Sequence, residues 1–196
     1  MIGGLYFLTM DDAPIGAVQQ VEEACRAGIR WIQLRMKHAS DEEMLEAARD
    51  AIRLCKRWDC GLIVNDRVAV AMEAGAHGVH LGKEDMPVRE ARKLLGEDRI
   101  IGGTANTIED VREHHRQGAD YVGLGPYRFT TTKKNLSPIL GLEGYRRIME
   151  LLRMENFPLP VVAIGGIRTE DMAPLLAAGC SGIAFSGMLI KKILSC

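Results

Sequence analysis

Short apolar runs recur along the chain, and each is about as long as a buried β-strand. Within these runs apolar and polar residues do not strictly alternate, which is typical of strands covered on both faces, as in parallel sheets. Eight such runs are found, at residues 4–9, 31–35, 61–65, 77–81, 100–104, 120–125, 160–166 and 181–186. The pattern predicts eight parallel strands.

Four segments of similar sequence join helical patterns to these runs. They are AGIRWIQLR from Ala27, AGAHGVHLG from Ala74, QGADYVGLG from Gln117 and AGCSGIAFS from Ala178. Each places a glycine between the helical pattern and the apolar run, and glycine closes helices because it adopts left-handed conformations at little cost. The repeating unit is therefore helix, turn and strand.

The helical patterns are clearest before the third strand. Met44, Ala48 and Ile52 fall on one face of a helix. Ser40 and Glu43 have the spacing of a capping box, in which each side chain bonds the other residue's backbone N–H. We therefore predict that a helix begins directly after Ser40.

Eight strands alternating with helices fit either a closed (β/α)8 barrel or a doubly wound open sheet. The even repetition, the count of eight and the absence of a GxGxxG turn after the first strand favour the barrel. We predict an α/β fold with a single TIM-barrel domain over residues 1–196. Such barrels typically have about 250 residues. This one would be compact, with a short last helix after Ser186.

Composition narrows the functional classes. The net charge of −1 gives no electrostatic reason to expect a nucleic-acid or membrane partner. The five cysteines are odd in number and show no CxxC pair, which argues against a disulfide framework or a zinc site. The N-terminal segment lacks the basic region of a signal peptide. We expect a cytoplasmic protein.

In a TIM barrel, active sites lie at the carboxyl ends of the strands. Gln33, Arg35 and Lys37 alternate at the end of the second predicted strand, so their side chains would point the same way. Cations directed into a barrel mouth commonly bind an anion, although a solvated strand end would look the same.

Acidic and amide side chains follow the next two strands. Asn65 and Asp66 end the third strand, and Asp85 lies in the loop after the fourth. Two carboxylates on neighbouring loops suit Mg²⁺, which takes one or two protein carboxylates and completes its shell with water and phosphate oxygens. Helix capping by aspartate is the alternative interpretation.

The loop after the sixth strand combines hydroxyl groups with cations. Thr130, Thr132 and Lys133 offer the donors that pyrophosphate oxygens require. The loop has roughly fifteen residues, more than the usual two to six, so it would also be long enough to close over a ligand. A loop without a binding role remains the alternative.

Glycines follow the last two strands. Gly165 and Gly166 end the seventh, and Ser186 and Gly187 end the eighth, where exposed backbone N–H groups hold a phosphate in many barrels. Together with the cations and carboxylates near strands two to four, this predicts two phosphorylated ligands. One of them would leave as pyrophosphate.

Taken together and in this order, the motifs resemble the thiamine phosphate synthase family, also called thiamine-phosphate pyrophosphorylases. The matching motifs are QLRMK, VNDRVAVA, GAHGVHLG with ED, IGGT, GADYVGLGP, TTTKK, VAIGGI and GCSGIAFSG. The resemblance implies a (β/α)8 enzyme that joins hydroxymethylpyrimidine diphosphate to hydroxyethylthiazole phosphate and releases pyrophosphate, with Mg²⁺ as cofactor.

The resemblance also implies roles for individual residues. Substrate-binding residues would be Gln33, Arg35, Lys37, Asn65, Thr104, Thr130, Thr132, Lys133, Gly165 and Ser186. Of these, Arg35, Lys37 and Lys133 would act on the leaving group, and Asp66 and Asp85 would bind the metal. The family's reaction is dissociative, so the protein needs no covalent nucleophile and contributes positioning and electrostatics.

The sequence departs from the family pattern after the fifth strand, where Thr104, Ala105 and Asn106 replace the usual Ser-Ala-His. Asn106 cannot act as an acid or base at neutral pH. That loss disfavours the related thiazole tautomerase, whose activity is attributed to a histidine in this region. A non-catalytic paralogue that binds phosphorylated ligands is the other alternative, and a homodimer could seal the short C-terminus.

Overall fold

The computed structural model describes residues 3–129 and 138–187. Within these ranges, eight parallel strands form a closed barrel in which the first strand pairs with both the second and the eighth. The predicted TIM barrel is therefore confirmed. Each strand lies inside its predicted apolar run, except that the fifth extends one residue beyond it. The strands are β1 Gly4–Leu8, β2 Trp31–Leu34, β3 Gly61–Asn65, β4 Gly78–Leu81, β5 Ile100–Ala105, β6 Tyr121–Leu124, β7 Val161–Ala163 and β8 Gly182–Phe185.

A helix follows each of the first seven strands. The helices are α1 Ala17–Arg26, α2 Asp41–Trp58, α3 Val68–Ala74, α4 Val88–Leu95, α5 Ile108–Arg116, α6 Gly141–Met154 and α7 Thr169–Ala177. The predicted last helix, beyond residue 187, lies outside the described residues. The predicted diphosphate-binding residues Thr130, Thr132 and Lys133 also lie outside them.

The turns between helices and strands follow the sequence repeat. Gly28, Gly75, Gly118 and Gly179 all have positive φ, between 71° and 105°. This left-handed conformation ends each helix and turns the chain into the next strand. The predicted capping box is also present, because the Ser40 side chain accepts from the Glu43 N–H and the Glu43 carboxylate accepts from the Ser40 N–H.

The interior of the barrel is filled by large side chains from opposite strands. Tyr6 on β1 and Tyr121 on β6 meet across it, with their hydroxyl oxygens 2.8 Å apart. Gly102 on the neighbouring β5 makes room for this contact, since a Cβ there would lie 2.2 Å from the Tyr121 ring. The barrel is thus a packed core, and a ligand can reach it only from an end.

A second apolar layer lies between the barrel and its surrounding helices. Cys25, Cys55, Cys60 and Cys180 are buried free thiols, in keeping with their predicted role as small apolar residues, and Cys196 lies outside the described residues.

No helix in the ranges 3–129 and 138–187 combines the length and the apolar character needed to cross a bilayer.

Candidate active site

Two carboxylates face each other at the carboxyl ends of β3 and β4. Asp66 has a positive φ of 64°, and its N–H donates to the carbonyl oxygen of His80 over 2.8 Å. Asp85 accepts a hydrogen bond of 2.6 Å from the N–H of Gly82, and its carboxyl group lies close to that of Asp66. Burial and the nearby Asp85 raise the pKa of Asp66 to about 6, although Lys37 and Arg35 oppose the shift.

Helix capping does not explain these carboxylates. The residues at the N-caps of α3 and α4 are Arg67 and Pro87, and neither helix has a side-chain hydrogen bond at its cap. The two like charges are instead held together at an electrostatic cost. A cation bound between them would remove that cost.

The carboxylate pair fits Mg²⁺ better than it fits a metal bound entirely by protein. Among residues 3–129 and 138–187, no three or more His, Cys, Asp or Glu side chains gather as a possible metal site. Mg²⁺ commonly binds one or two carboxylates and takes its remaining ligands from water and substrate phosphates. Asp66 and Asp85 are therefore the residues that could hold such an ion.

Arg35 and Lys37 follow the end of β2, and their charges act on Asp66. Arg35 is anchored through its backbone, since its N–H donates to the Thr9 hydroxyl over 2.8 Å and its carbonyl accepts from the same hydroxyl over 2.9 Å. Its guanidinium Nη1 lies 3.4 Å from Asp11, which also accepts from the Lys37 N–H over 3.1 Å. These contacts fix the segment after β2 against the end of β1.

Sequence reasoning gave no role to Thr9 and Asp11. The available signal was their position directly after the first predicted strand, at the same end of the barrel as Arg35. It was too weak to use, because polar residues follow most strands.

Gln33 and Asn65 form a buried amide pair just below the barrel mouth. Gln33 is 3% exposed, and its Nε2 donates to Asn65 Oδ1 over 2.5 Å. In this bond Nε2 is the donor and Oδ1 is the acceptor. Gln33 Oε1 and Asn65 Nδ2 are the other acceptor and donor of the pair.

A second set of buried polar groups lies inside the barrel. His80 lies between Tyr121 and Thr104, with Nδ1 2.9 Å from the tyrosine hydroxyl and Nε2 3.1 Å from the threonine hydroxyl. Burial raises the pKa of both Tyr6 and Tyr121, so both hydroxyls remain protonated. The ring of His80 is therefore one of the buried polar groups beneath the site.

Asn106, which replaces the family's histidine, is tied to the backbone. Its Nδ2 donates to the carbonyl oxygen of Gly125, and its N–H donates to Asp110 over 2.8 Å. The side chain is buried and adjoins the start of the β6 loop. Asn106 thus connects the ends of β5 and β6.

Glycines follow β7 and β8 on the opposite side of the mouth. Gly165 and Gly166 have φ values of 88° and 70°, so the chain turns sharply after β7. Turns of this kind can line a concavity with N–H groups that attract anions. Ser186 and Gly187 follow β8, the strand next to β7, and both are half-buried.

Most of the predicted site residues share one mouth of the barrel, because all eight strands run parallel and end there. Those near β2 to β5 are Gln33, Arg35, Lys37, Asn65, Asp66, Asp85 and Thr104. Gly165 and Ser186 lie near β7 and β8. The two sets flank the point where the chain enters residues 130–137, which include Thr130, Thr132 and Lys133.

Comparison with known proteins adds independent information. A family described as thiamine monophosphate synthase matches residues 5–189 of the chain. A thiamine-phosphate synthase of Bacteroides fragilis is 50% identical over 187 residues, which is 95% of this chain and 92% of that protein. One from Bacteroides thetaiotaomicron is 55% identical over 168 residues, covering 86% of this chain and 80% of the relative.

A solved structure agrees with these sequences. The thiamine phosphate pyrophosphorylase from Pyrococcus furiosus superposes with a TM-score of 0.82 at 32% identity, over 97% of this chain and 96% of that one. The likeness therefore extends through the whole barrel. By sequence and by fold, the chain belongs to the thiamine monophosphate synthase family.

Proposed function

We propose that this protein is a thiamine-phosphate synthase, a transferase that joins hydroxymethylpyrimidine diphosphate to hydroxyethylthiazole phosphate and releases pyrophosphate. One observation carries the proposal. At a single barrel mouth, the close carboxylates Asp66 and Asp85 lie beside the cations Arg35 and Lys37. This combination suits a diphosphate bound together with a divalent ion.

The amide pair accounts for recognition of the pyrimidine. An aminopyrimidine presents an amino donor next to a ring-nitrogen acceptor. Gln33 Oε1 and Asn65 Nδ2 offer an acceptor and a donor of the kinds this pattern requires, and the bond from Gln33 Nε2 to Asn65 Oδ1 keeps the two side chains together. Because both residues are buried, a substrate lacking this pattern would leave polar groups unpaired, which costs binding free energy.

The charged residues would act on the leaving group. Arg35, Lys37 and Lys133 would bind the departing pyrophosphate oxygens and stabilise the charge that develops on them. Asp66 and Asp85 would hold Mg²⁺, which when bound supplies charge neutralisation to the same oxygens. Thr130 and Thr132 would donate hydrogen bonds to the pyrophosphate, while Thr104 would contact the pyrimidine side of the site.

The other side of the mouth would receive the second substrate. Gly165 and Ser186 would bind the thiazole phosphate, leaving the thiazole nitrogen directed toward the pyrimidine methylene carbon. The bond from that carbon to the diphosphate oxygen breaks first, and the thiazole nitrogen then forms the new bond. The protein supplies orientation and excludes water.

The tautomerase alternative gains no support from Asn106. Its side chain donates to the Gly125 carbonyl and carries no proton that it could exchange at neutral pH. Supplying the thiazole carboxylate phosphate alone tests that activity directly.

The decisive experiment is a turnover assay on the purified full chain with both substrates and Mg²⁺, with and without EDTA. We expect thiamine phosphate and pyrophosphate in equal amounts, and loss of turnover in EDTA that added Mg²⁺ restores. A folded protein that binds both substrates without forming product would be the non-catalytic paralogue, and the proposal would be wrong. If EDTA leaves turnover unchanged, the proposed role of Mg²⁺ is wrong.

A further inference from the structure

An ion pair between the half-exposed Arg128 and the buried Asp171 joins the start of the β6 loop to α7. Arg128 contacts both carboxylate oxygens of Asp171, with Nη1 2.5 Å from Oδ2 and Nη2 3.0 Å from Oδ1. Asp171 is only 6% exposed, and it also accepts from the Tyr127 hydroxyl over 3.1 Å and from the Arg168 N–H over 2.8 Å. These four contacts satisfy a carboxylate whose burial would otherwise be costly.

The same arginine holds the turn after β7. Its backbone N–H donates to the Gly165 carbonyl over 2.9 Å, and its Nη1 donates to the Gly166 carbonyl over 3.2 Å. The packing leaves no space, since a Cβ on Gly165 would lie 2.9 Å from Pro126 and one on Gly166 would lie 2.8 Å from the Phe129 carbonyl oxygen. The turn and the segment 125–129 therefore form one closely packed unit.

The pair has a geometry that a lysine could not reproduce. A guanidinium can donate to two carboxylate oxygens and a carbonyl at once, whereas an ammonium acts as a point charge. The guanidinium also lies 5.1 Å from the centre of the Tyr127 ring. Contact with Arg128 holds the pKa of Asp171 below its usual range, so the carboxylate stays charged at neutral pH.

We propose that Arg128 and Asp171 are positioning residues for the thiazole-phosphate side of the site, acting through the Gly165–Gly166 turn. The inference rests on the proposed function, which assigns the phosphate to that turn. Neither side chain needs to touch a substrate. The Arg128 side chain fixes where the carbonyl of Gly166 points, and this in turn sets the direction of the N–H groups around it. The backbone N–H of Arg128 holds the carbonyl of Gly165 and is kept in every variant.

The test measures KM for each substrate separately in Arg128→Met, which retains length and removes the charge and the donors. We expect the KM for thiazole phosphate to rise about tenfold, with the KM for the pyrimidine diphosphate within about twofold of the unsubstituted protein. Asp171→Asn should also raise the KM for thiazole phosphate, by a smaller factor than Arg128→Met does. Arg128→Lys should restore part of the loss.

The matched control is Arg92→Met, which removes an arginine that pairs with Asp120 at 2.6 Å on the opposite end of the barrel. It should destabilise the protein and leave both KM values unchanged. If Arg128→Met changes neither KM, or raises both equally, the positioning role is wrong. If that variant does not fold, the same two KM values are measured in Asp171→Asn and Arg128→Lys. The positioning role is wrong if neither variant raises the KM for thiazole phosphate selectively.

Failure of the proposed function can be recognised separately. If the unsubstituted protein forms no thiamine phosphate, calorimetric titration with hydroxyethylthiazole phosphate replaces the KM measurement. A selective loss of affinity in the Arg128 and Asp171 variants would still support the positioning role, and unchanged affinity would overturn it.

Discussion

The two ends of the barrel use the same kinds of charged residue in opposite ways. At the amino end, Arg92 pairs with Asp120 and donates to the carbonyls of Gly96, Arg99 and Gly118. Asp120 also accepts from the Ile101 N–H over 2.7 Å. The cation and the anion at this end neutralise each other within the protein.

At the carboxyl end, charges of the same sign are brought together. Asp66 lies within hydrogen-bonding reach of Asp85, and this contact together with burial raises its pKa to about 6. The arrangement costs stability and leaves the local field unbalanced. Ion pairs such as Arg128–Asp171 also occur at this end. The difference is that Asp66 and Asp85 are two like charges held close together, as is expected of a site that binds a ligand.

The largest effect should come from removing one of the close carboxylates. We expect Asp66→Asn to lower kcat/KM by about 10³-fold, because the metal and the departing pyrophosphate lose a charged partner. Steady-state kinetics at saturating Mg²⁺ measure this. An activity near that of the unsubstituted protein would show that the carboxylate pair has no role in turnover.

The next largest effect should follow substitution of Lys133, whose role is predicted from the sequence. We expect Lys133→Ala to lower turnover by about 10²-fold, since a cation that contacts the leaving group acts mainly in the transition state. Single-turnover kinetics isolate the chemical step. Lys134→Ala, at the adjacent lysine, is the matched control and should retain most activity, whereas equal losses in both variants would point to a general effect of positive charge.

At the amino end, the expected effect is on stability alone. Arg92→Met should lower the free energy of unfolding by about 2 kcal/mol, because Asp120 and several carbonyls lose their donor. Urea denaturation measures the loss, and kcat should stay unchanged. A fall in kcat at a temperature where the variant is fully folded would contradict the division between the two ends.

The smallest effect concerns pH. The pKa of Asp66 is raised in the folded state, so the native protein binds more protons than the unfolded chain between about pH 4 and pH 6, and stability falls as pH rises through that window. In EDTA at pH 7.5, Asp66→Asn should therefore be more stable than the unsubstituted protein by about 1 kcal/mol. Urea denaturation should show this advantage disappearing near pH 4, and an advantage independent of pH would contradict the electrostatic explanation.

The sequence predicted the barrel well for a local reason. Each helix, turn and strand has its own signal, and Gly28, Gly75, Gly118 and Gly179 mark the turns through a conformation that other residues adopt only with strain. The grouping of Asp66 and Asp85 also followed without coordinates. In a parallel barrel, every residue just after a strand lies at the same end.

Contacts between distant side chains could not be predicted in this way. The bond between Tyr6 and Tyr121 crosses the barrel, and Arg128 meets Asp171 through a particular packing of two loops. Such partners depend on strand register and on the paths of the loops. A polar residue near a strand end does not by itself identify its neighbour.

The amino-acid sequence by itself determined the eightfold repeat, the direction of the strands and the end of the barrel at which the charged residues would collect. Only the tertiary structure decided which of them touch, that Asp11 anchors Arg35, that His80 contacts Thr104, and that Asp66 lies close enough to Asp85 for its pKa to rise. The reason is physical. Secondary structure follows from local conformational preference and apolar periodicity, whereas the pairing of side chains follows from how the closed sheet is staggered and packed.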